Sequence, residues 1–257
     1  MLAKRIIPCL DIFNGKIIKG KRFSNHNDIG NIVDYSKYYA SSGADELVFY
    51  DITASVEDRL IDKRWISKVA ESINIPFCVA GGIRNVSQAK EVFSLGADKI
   101  SVNTPALSDP FFISRLADIF GSQCVVVGID SWFNKSINTY QVRSYTGNQY
   151  VSNYASWHTI AWVETIQKLG AGEVVINVIN QDGIKKGYDI KHLTDIRNCC
   201  SMPLIASGGA GNRHHFISAL KESKVDGVLA ASVFHRNTID ISSLKKFLLS
   251  KGVEVRL

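Results

Sequence analysis

The chain has 257 residues, 46% hydrophobic and 21% charged, the proportions of a globular protein long enough to bury a core without disulfides or metals. Thirty basic against 24 acidic residues leave a net charge of +6. The basic residues are scattered, with no Arg-rich helix or interleaved aromatic stripe, which argues against nucleic acid as a partner.

That excess is either a solvated basic surface or an attraction for an anionic substrate. No apolar run reaches the ~18 residues that span a bilayer, and Asp11 comes too early for a signal peptide, so no membrane association is expected. The cysteines Cys9, Cys78, Cys124, Cys199 and Cys200 form an odd set without CxxC spacing. Reduced, mostly buried thiols and a cytoplasmic location are the expectation.

In chain order, short apolar runs at 5–10, 46–50, 77–80, 99–102, 124–129, 173–177, 204–206 and 227–230 predict eight strands. They are continuous and rich in Val and Ile, as parallel strands covered on both faces are. Amphipathic stretches at 85–95, 109–120, 156–169 and 212–223 predict helices between them. Eight βα units and no Pro/Gly-rich linker predict one (β/α)₈ TIM barrel, a single α/β domain over 1–257.

An internal repeat divides it. GADELVF at 43–49 returns as GAGEVVI at 170–176, and IPFCVAGGIRN at 75–85 returns as MPLIASGGAGN at 202–212, both 127 positions on. ISVNTPAL at 100–107 answers VLAASVFH at 228–235, and the Asp11 that closes CLD answers the Asp130 that closes GID. Two half-barrels of approximately 1–122 and 123–257 are expected. Extra chain at 132–153 reads as a hairpin inserted after the fifth strand.

In this fold chemistry sits at the carboxyl ends of the strands. Gly81-Gly82 and Gly208-Gly209 both follow a strand there, as a tight turn or as backbone that a phosphate can approach. Each is followed one unit later by a hydroxyl residue, Thr104 after Asn103 and Ser232 after Ala231. The pairing suits a ligand with a phosphate at each end. Asp11 and Asp130 end symmetry-related strands and are either caps or a general acid/base pair. Lys19, in the long loop after strand one, either closes over a phosphate or is solvated.

At the other strand ends, Arg5, Glu46, Lys99 and Glu173 begin strands one, two, four and six. Pointing inward, they would form a ring of two cations and two anions, either a salt-bridge plug or a gate on the barrel axis. The six histidines show no metal-ligand spacing, and His214-His215 fall on a helix expected to face water. No metal or cofactor is implied.

These segments carry a resemblance over essentially the whole length. MLAKRIIPCLD, DELVFYDITAS, GADKISVNT, FGSQCVVVGID, PLIASGGAG, LAASVFH and GVEVRL resemble the family of imidazole glycerol phosphate synthase cyclase subunits. The resemblance implies the following roles. Ammonia from a separate glutaminase subunit, in a heterodimer, is joined to a bis-phosphorylated ribulosyl formimino carboxamide ribotide. The products are imidazole glycerol phosphate and an aminoimidazole carboxamide ribotide, a step of histidine biosynthesis. The family's acid/base pair falls on Asp11 and Asp130. Its phosphate contacts fall on Gly82, Asn103 and Thr104, and on Asp182, Gly183, Gly209, Ala231 and Ser232. Its ammonia gate falls on Arg5, Glu46, Lys99 and Glu173, with Asp98 near the glutaminase.

The related isomerase of the same pathway shares the repeat but typically has a VDLDGA-like segment where this chain has FYDITAS. Three segments depart from the cyclase pattern: Ser131-Trp132-Phe133, Lys21-Arg22, and 177–184, where TSIDRDGT is replaced by NVINQDGI. All lie at the expected mouth. They leave open a second role implied by resemblance, an ammonia-delivering subunit for amidination of a bacterial surface sugar.

Overall fold

In a computed structural model, residues 2–13, 16–21, 24–51, 54, 57, 59–146 and 153–257 are described. Eight strands close a parallel barrel: β1 (Arg5–Phe13), β4 (Leu47–Asp51), β5 (Phe77–Ala80), β6 (Lys99–Val102), β7 (Val125–Asn134), β10 (Glu173–Val178), β11 (Leu204–Ser207) and β12 (Gly227–Ala230). β12 returns to β1 with Ile6 opposite Val228, and β7 meets β10 with Asp130 opposite Asn177.

Outside the ring run α1 (Ile32–Ser41), α2 (Lys63–Ala70), α3 (Val86–Ser94), α4 (Thr104–Ser108) and α5 (Phe111–Phe120). They are followed by α6 (Thr159–Lys168), α7 (Ile190–Cys199), α8 (Arg213–Lys221), α9 (Ser232–His235) and α10 (Ile241–Ser250). Among the described residues no helix is long and apolar enough to cross a membrane.

Alternation along each strand sorts the side chains into two cores. Leu10, Phe49, Val79, Ile100, Val127, Ile176 and Val228 face the helices. Ile7, Cys9, Val48, Cys78, Val126, Val175, Ile205 and Leu229 fill the barrel. Both faces are therefore apolar, which is why the strands read as unbroken hydrophobic runs. Arg5, Ile7, Cys9 and Asp11 share one face of β1, so the floor and the mouth are joined by one inward row about 20 Å long at ~3.3 Å per residue.

The order of elements recurs. Three strands, a helix, then strand–helix, strand–helix and strand with two helices make up β1 to α5 and again β7 to α10. The hairpin expected after the fifth barrel strand is present as β8 (Thr139–Ser144), antiparallel to β7, with β9 (Asn153–His158) beyond it. The region after strand one, read as a long loop, holds an equivalent hairpin of β2 (Lys16–Lys21) and β3 (Ser24–Gly30). The helix expected from residue 156 begins only at Thr159, because β9 runs to His158. The helix expected from 109 begins at Phe111 as α5, and a separate short helix, α4, precedes it before Asp109 and Pro110.

The repeated asparagines have a local cause. Asn85 and Asn212 N-cap α3 and α8, accepting from the Gln88 and His214 backbone N–H groups. His214 is exposed as expected, but His215 is half-buried and its ring completes the α8 cap. All five cysteines are free thiols, with Cys9, Cys78 and Cys200 buried.

Candidate active site

Asp11 and Asp130 stand on β1 and β7, four strands apart either way round the ring, so they face each other across the mouth. One cavity of about 170 Å³ is lined by both, and also by Gly82, Asn103, Thr104, Asp182, Gly183, Gly209, Ala231 and Ser232. The acid/base and phosphate-contact residues expected at the mouth are thus gathered into one pocket, whereas Ser131, Trp132 and Phe133, also expected there, do not line it, and Ser131 is fully buried against Thr159. Lys19 belongs to β2, but its side chain lies outside the described residues.

The two carboxylates have different surroundings. Asp130 Oδ1 accepts from Asn177 Nδ2 at 2.8 Å, and Oδ2 accepts from Asn103 Nδ2 at 3.1 Å and Thr146 Oγ1 at 2.5 Å. Burial pushes the Asp130 carboxyl above its ordinary range, while these three donors and the Arg143 charge hold it down, so the net displacement is upward. Asp11 is 7% exposed and accepts from the Cys9 thiol at 3.6 Å.

The glycine pairs carry a constraint that sequence alone left open. A Cβ on Gly82 would lie 1.8 Å from the Arg59 carbonyl oxygen, and one on Gly209 would lie 2.1 Å from that of Gly187. Both glycines have positive φ, +70° and +107°. The chain of the preceding βα unit therefore crosses each glycine in van der Waals contact, and Gly187 N–H donates to Gly209 O at 2.8 Å. Close approach of backbone to backbone requires glycine here whether or not an anion also approaches. Beside them, Asn103 and Ala231 share an irregular conformation, φ −133°, ψ −89° and φ −120°, ψ −73°, before α4 and α9.

At the floor, Arg5 reaches Glu46 at 2.8 Å and Glu173 at 2.6 Å, and Lys99 reaches the same two at 2.7 and 3.3 Å. The four side chains close a ring across the axis. Burial works against the Arg5 and Lys99 charges, but the glutamates outweigh it and hold both cations above their ordinary values. Burial and the neighbouring Glu173 raise Glu46. Asp98 is exposed on the floor, and its carboxylate accepts the Phe77 N–H at 2.8 Å. Asp226, its counterpart by the repeat, does the same for Leu204 at 2.9 Å.

Several site residues were missed by sequence reasoning. Asn177 and Thr146 hold Asp130, and Tyr50, Ser101 and Ser207 line the pocket. Asn177 and Ser101 carried a signal, since each lies an even number of residues from a ring member on its own strand. Thr146 carried none, because its place depends on the path of the hairpin. Asp51 was also missed. It lines the pocket and is bound by Arg59 at 2.6 and 3.0 Å.

Fold and site together define a (β/α)₈ barrel whose mouth pairs two opposed carboxylates within one pocket and whose floor is closed by ion pairs. The model of the histidine biosynthesis protein family matches residues 5–240, and the chain belongs to that family. It is 61% identical to the imidazole glycerol phosphate synthase subunit HisF of Baumannia cicadellinicola subsp. Homalodisca coagulata. It is 58% identical to the subunit of that name from Sodalis glossinidius and 56% to that of an Escherichia coli strain. Each comparison covers 257 residues and the whole of both chains. Sugar amidination, the second role left open by the mouth segments, gains no support from these relatives.

Proposed function

We propose that this chain is the cyclase subunit of an imidazole glycerol phosphate synthase. In this reading it joins ammonia from a partner glutaminase to the bis-phosphorylated ribulosyl formimino carboxamide ribotide, yielding imidazole glycerol phosphate and aminoimidazole carboxamide ribotide. The observation that carries the reading is the opposition of Asp11 and Asp130 across a pocket whose other two sides are the repeated glycine–hydroxyl units. β5 and β11 lie opposite each other, as do β6 and β12. A substrate bound by a phosphate at each end, near Gly82, Asn103 and Thr104 and near Asp182, Gly183, Gly209, Ala231 and Ser232, would lie with its reacting centre between the carboxylates.

Ring closure and fragmentation require protons to be removed at one centre and returned at another. A carboxyl whose proton affinity burial raises, like Asp130, is suited to taking up a proton and releasing it to a neighbour. Asp11, on the opposite strand, supplies the second proton site. Ammonia is small and neutral, so the apolar column of Ile7, Val48, Val126, Val175 and Ile205 above the floor ring suits its passage. Arg5, Glu46, Lys99 and Glu173 act as the gate, and exposed Asp98 marks the glutaminase face. We read residues 1–122 and 123–257 approximately as two half-barrels, each giving one carboxylate and one phosphate site.

The test is turnover of the purified chain with ammonium and the ribotide. Asp11→Asn should lower it by ~10²-fold or more, the scale of losing a positioned proton shuttle, with substrate affinity little changed. Equal turnover in that variant would remove Asp11 from the mechanism.

A further inference from the structure

The β8 hairpin does more than border the mouth. Beyond Ser144 its chain turns at Tyr145, a non-glycine residue at φ +54°, a conformation L side chains adopt at a cost and keep where surroundings enforce it. The turn aims two groups inward. The Tyr145 N–H donates to Thr104 Oγ1 at 3.3 Å, and Thr146 Oγ1 donates to Asp130 Oδ2 at 2.5 Å. One strained step therefore ties the hairpin to both β6 and β7 ends of the pocket.

The three hydrogen-bond partners of Asp130 differ in kind. Asn103 and Asn177 meet it through their amide nitrogens, which only donate. The Asn177 amide is held in that sense, since its Oδ1 accepts from Ser207 Oγ at 3.3 Å. A hydroxyl both donates and accepts, and Thr146 carries the hydroxyl of the set. When Oδ2 is ionised Thr146 donates to it. When Oδ2 carries a proton, Thr146 rotates and accepts. Among the described residues, the other charged or titratable groups facing Asp130 are Arg143, opposite it in register on β8, Tyr50 on β4 and Asp11 across the mouth on β1.

We infer that Thr146 is a positioning residue for the acid/base step, its hydroxyl reversing between donor and acceptor as Asp130 gains and loses the proton. The inference rests on the reading of Asp130 as a proton-transfer group. It assigns the second-half hairpin a part in the reaction as well as in enclosing the mouth.

The experiment compares the wild-type chain with Thr146→Val, which keeps the shape and loses the hydroxyl, and Thr146→Ser, which restores it. Two readouts are taken. One is ammonium-dependent turnover of the ribotide. The other is the titration of the Asp130 carboxyl by ¹³C NMR of aspartate-labelled chain, assigned with Asp130→Asn. Thr146→Val should lower kcat about tenfold, the scale of one hydrogen bond to a charged group, with KM changed less. Its Asp130 midpoint should rise by about one unit, since one donor to the ionised form is lost. Thr146→Ser should recover both. Unchanged kcat and midpoint in Thr146→Val, or no recovery in Thr146→Ser, would overturn the inference. If wild-type chain does not turn over the ribotide while the midpoint still moves, the cyclase reading fails and the Thr146–Asp130 coupling stands.

Discussion

His192 should make stability fall with acid in a way that one substitution removes. Its side chain is 1% exposed, bonded through Nε2 to Ser131 Oγ at 2.9 Å and stacked on Tyr140 with ring centroids 3.5 Å apart. Ser131 also meets Thr159 at 2.8 Å, and Tyr140 donates to Asp189, the cap of α7, at 2.5 Å. Burial pushes the imidazole down to about 4 against the attraction of Asp189 and Asp195. The folded value lies below the ordinary 6.5, so the unfolded chain binds the proton more readily between those values. The stabilising contribution is complete above about pH 6.5 and is lost as pH falls toward 4. By linkage the loss between pH 7.5 and 5 is about 2 kcal/mol, or roughly 4–8 °C in Tm for a chain of this size.

The assay is urea unfolding at both pH values for wild type and His192→Gln, which keeps a polar head and does not titrate. Asp130 and Glu46 are displaced upward and so bind protons more readily when folded, favouring the native state as pH falls. The difference between the two proteins, rather than either slope alone, isolates His192. Equal pH dependence in wild type and His192→Gln would refute the reasoning.

Three further outcomes follow from the site. Lys99→Ala should leave Glu46 and Glu173 sharing Arg5 alone and open the floor. Product formed per glutamine hydrolysed, measured with the cognate glutaminase, should drop, while ammonium-driven turnover changes far less; intact coupling would make the ring a structural plug. Crystals grown in high sulfate should show one anion near Gly82 and Thr104 and another near Gly209 and Ser232, and a single filled site would undercut the two-ended ligand. Gly82→Ala, which sets a methyl against the Arg59 carbonyl at positive φ, should destabilise by about 2 kcal/mol or more in urea unfolding; an unchanged midpoint would mean that the crossing loop yields.

The fold was legible because a parallel barrel writes its strands as apolar runs and its symmetry as a repeat. The runs 77–80, 99–102 and 227–230 coincide with β5, β6 and β12. The floor ring was legible too, since a charged residue at the foot of a buried strand must find a partner. The hairpins were less so. Where β9 leads into α6, Tyr154, Trp157 and Trp162 blur period two into period 3.6. The glycine pairs were legible as special and ambiguous in cause, because a carbonyl that crosses from Arg59 or Gly187, more than twenty residues earlier in the chain, leaves no mark of its own. Thr146 acts through the path of the hairpin, which one chain's sequence does not encode locally, whereas the even spacing of Asn177 from Glu173 on β10 was there to be read.

The repeat also shows where the two halves must differ. Asp11 and Asp130 occupy equivalent places, yet the residue equivalent to Asn103 beside Asp11 is Ala231, and the residue equivalent to Asn177 is Tyr50. Two of the groups that hold Asp130 are thus absent from the other half by substitution. Near Asp11 their places are taken by a methyl and the half-buried Tyr50 phenol, whose loss of a proton desolvation disfavours. A symmetric pocket would hold both carboxylates by the same partners. Replacing two amides on one side is enough to give the two carboxylates different surroundings. On the reading proposed above, the symmetry would supply two anchors for a two-ended substrate, and its local breaking at positions 50, 103, 177 and 231 gives Asp130 amide donors that have no counterpart beside Asp11.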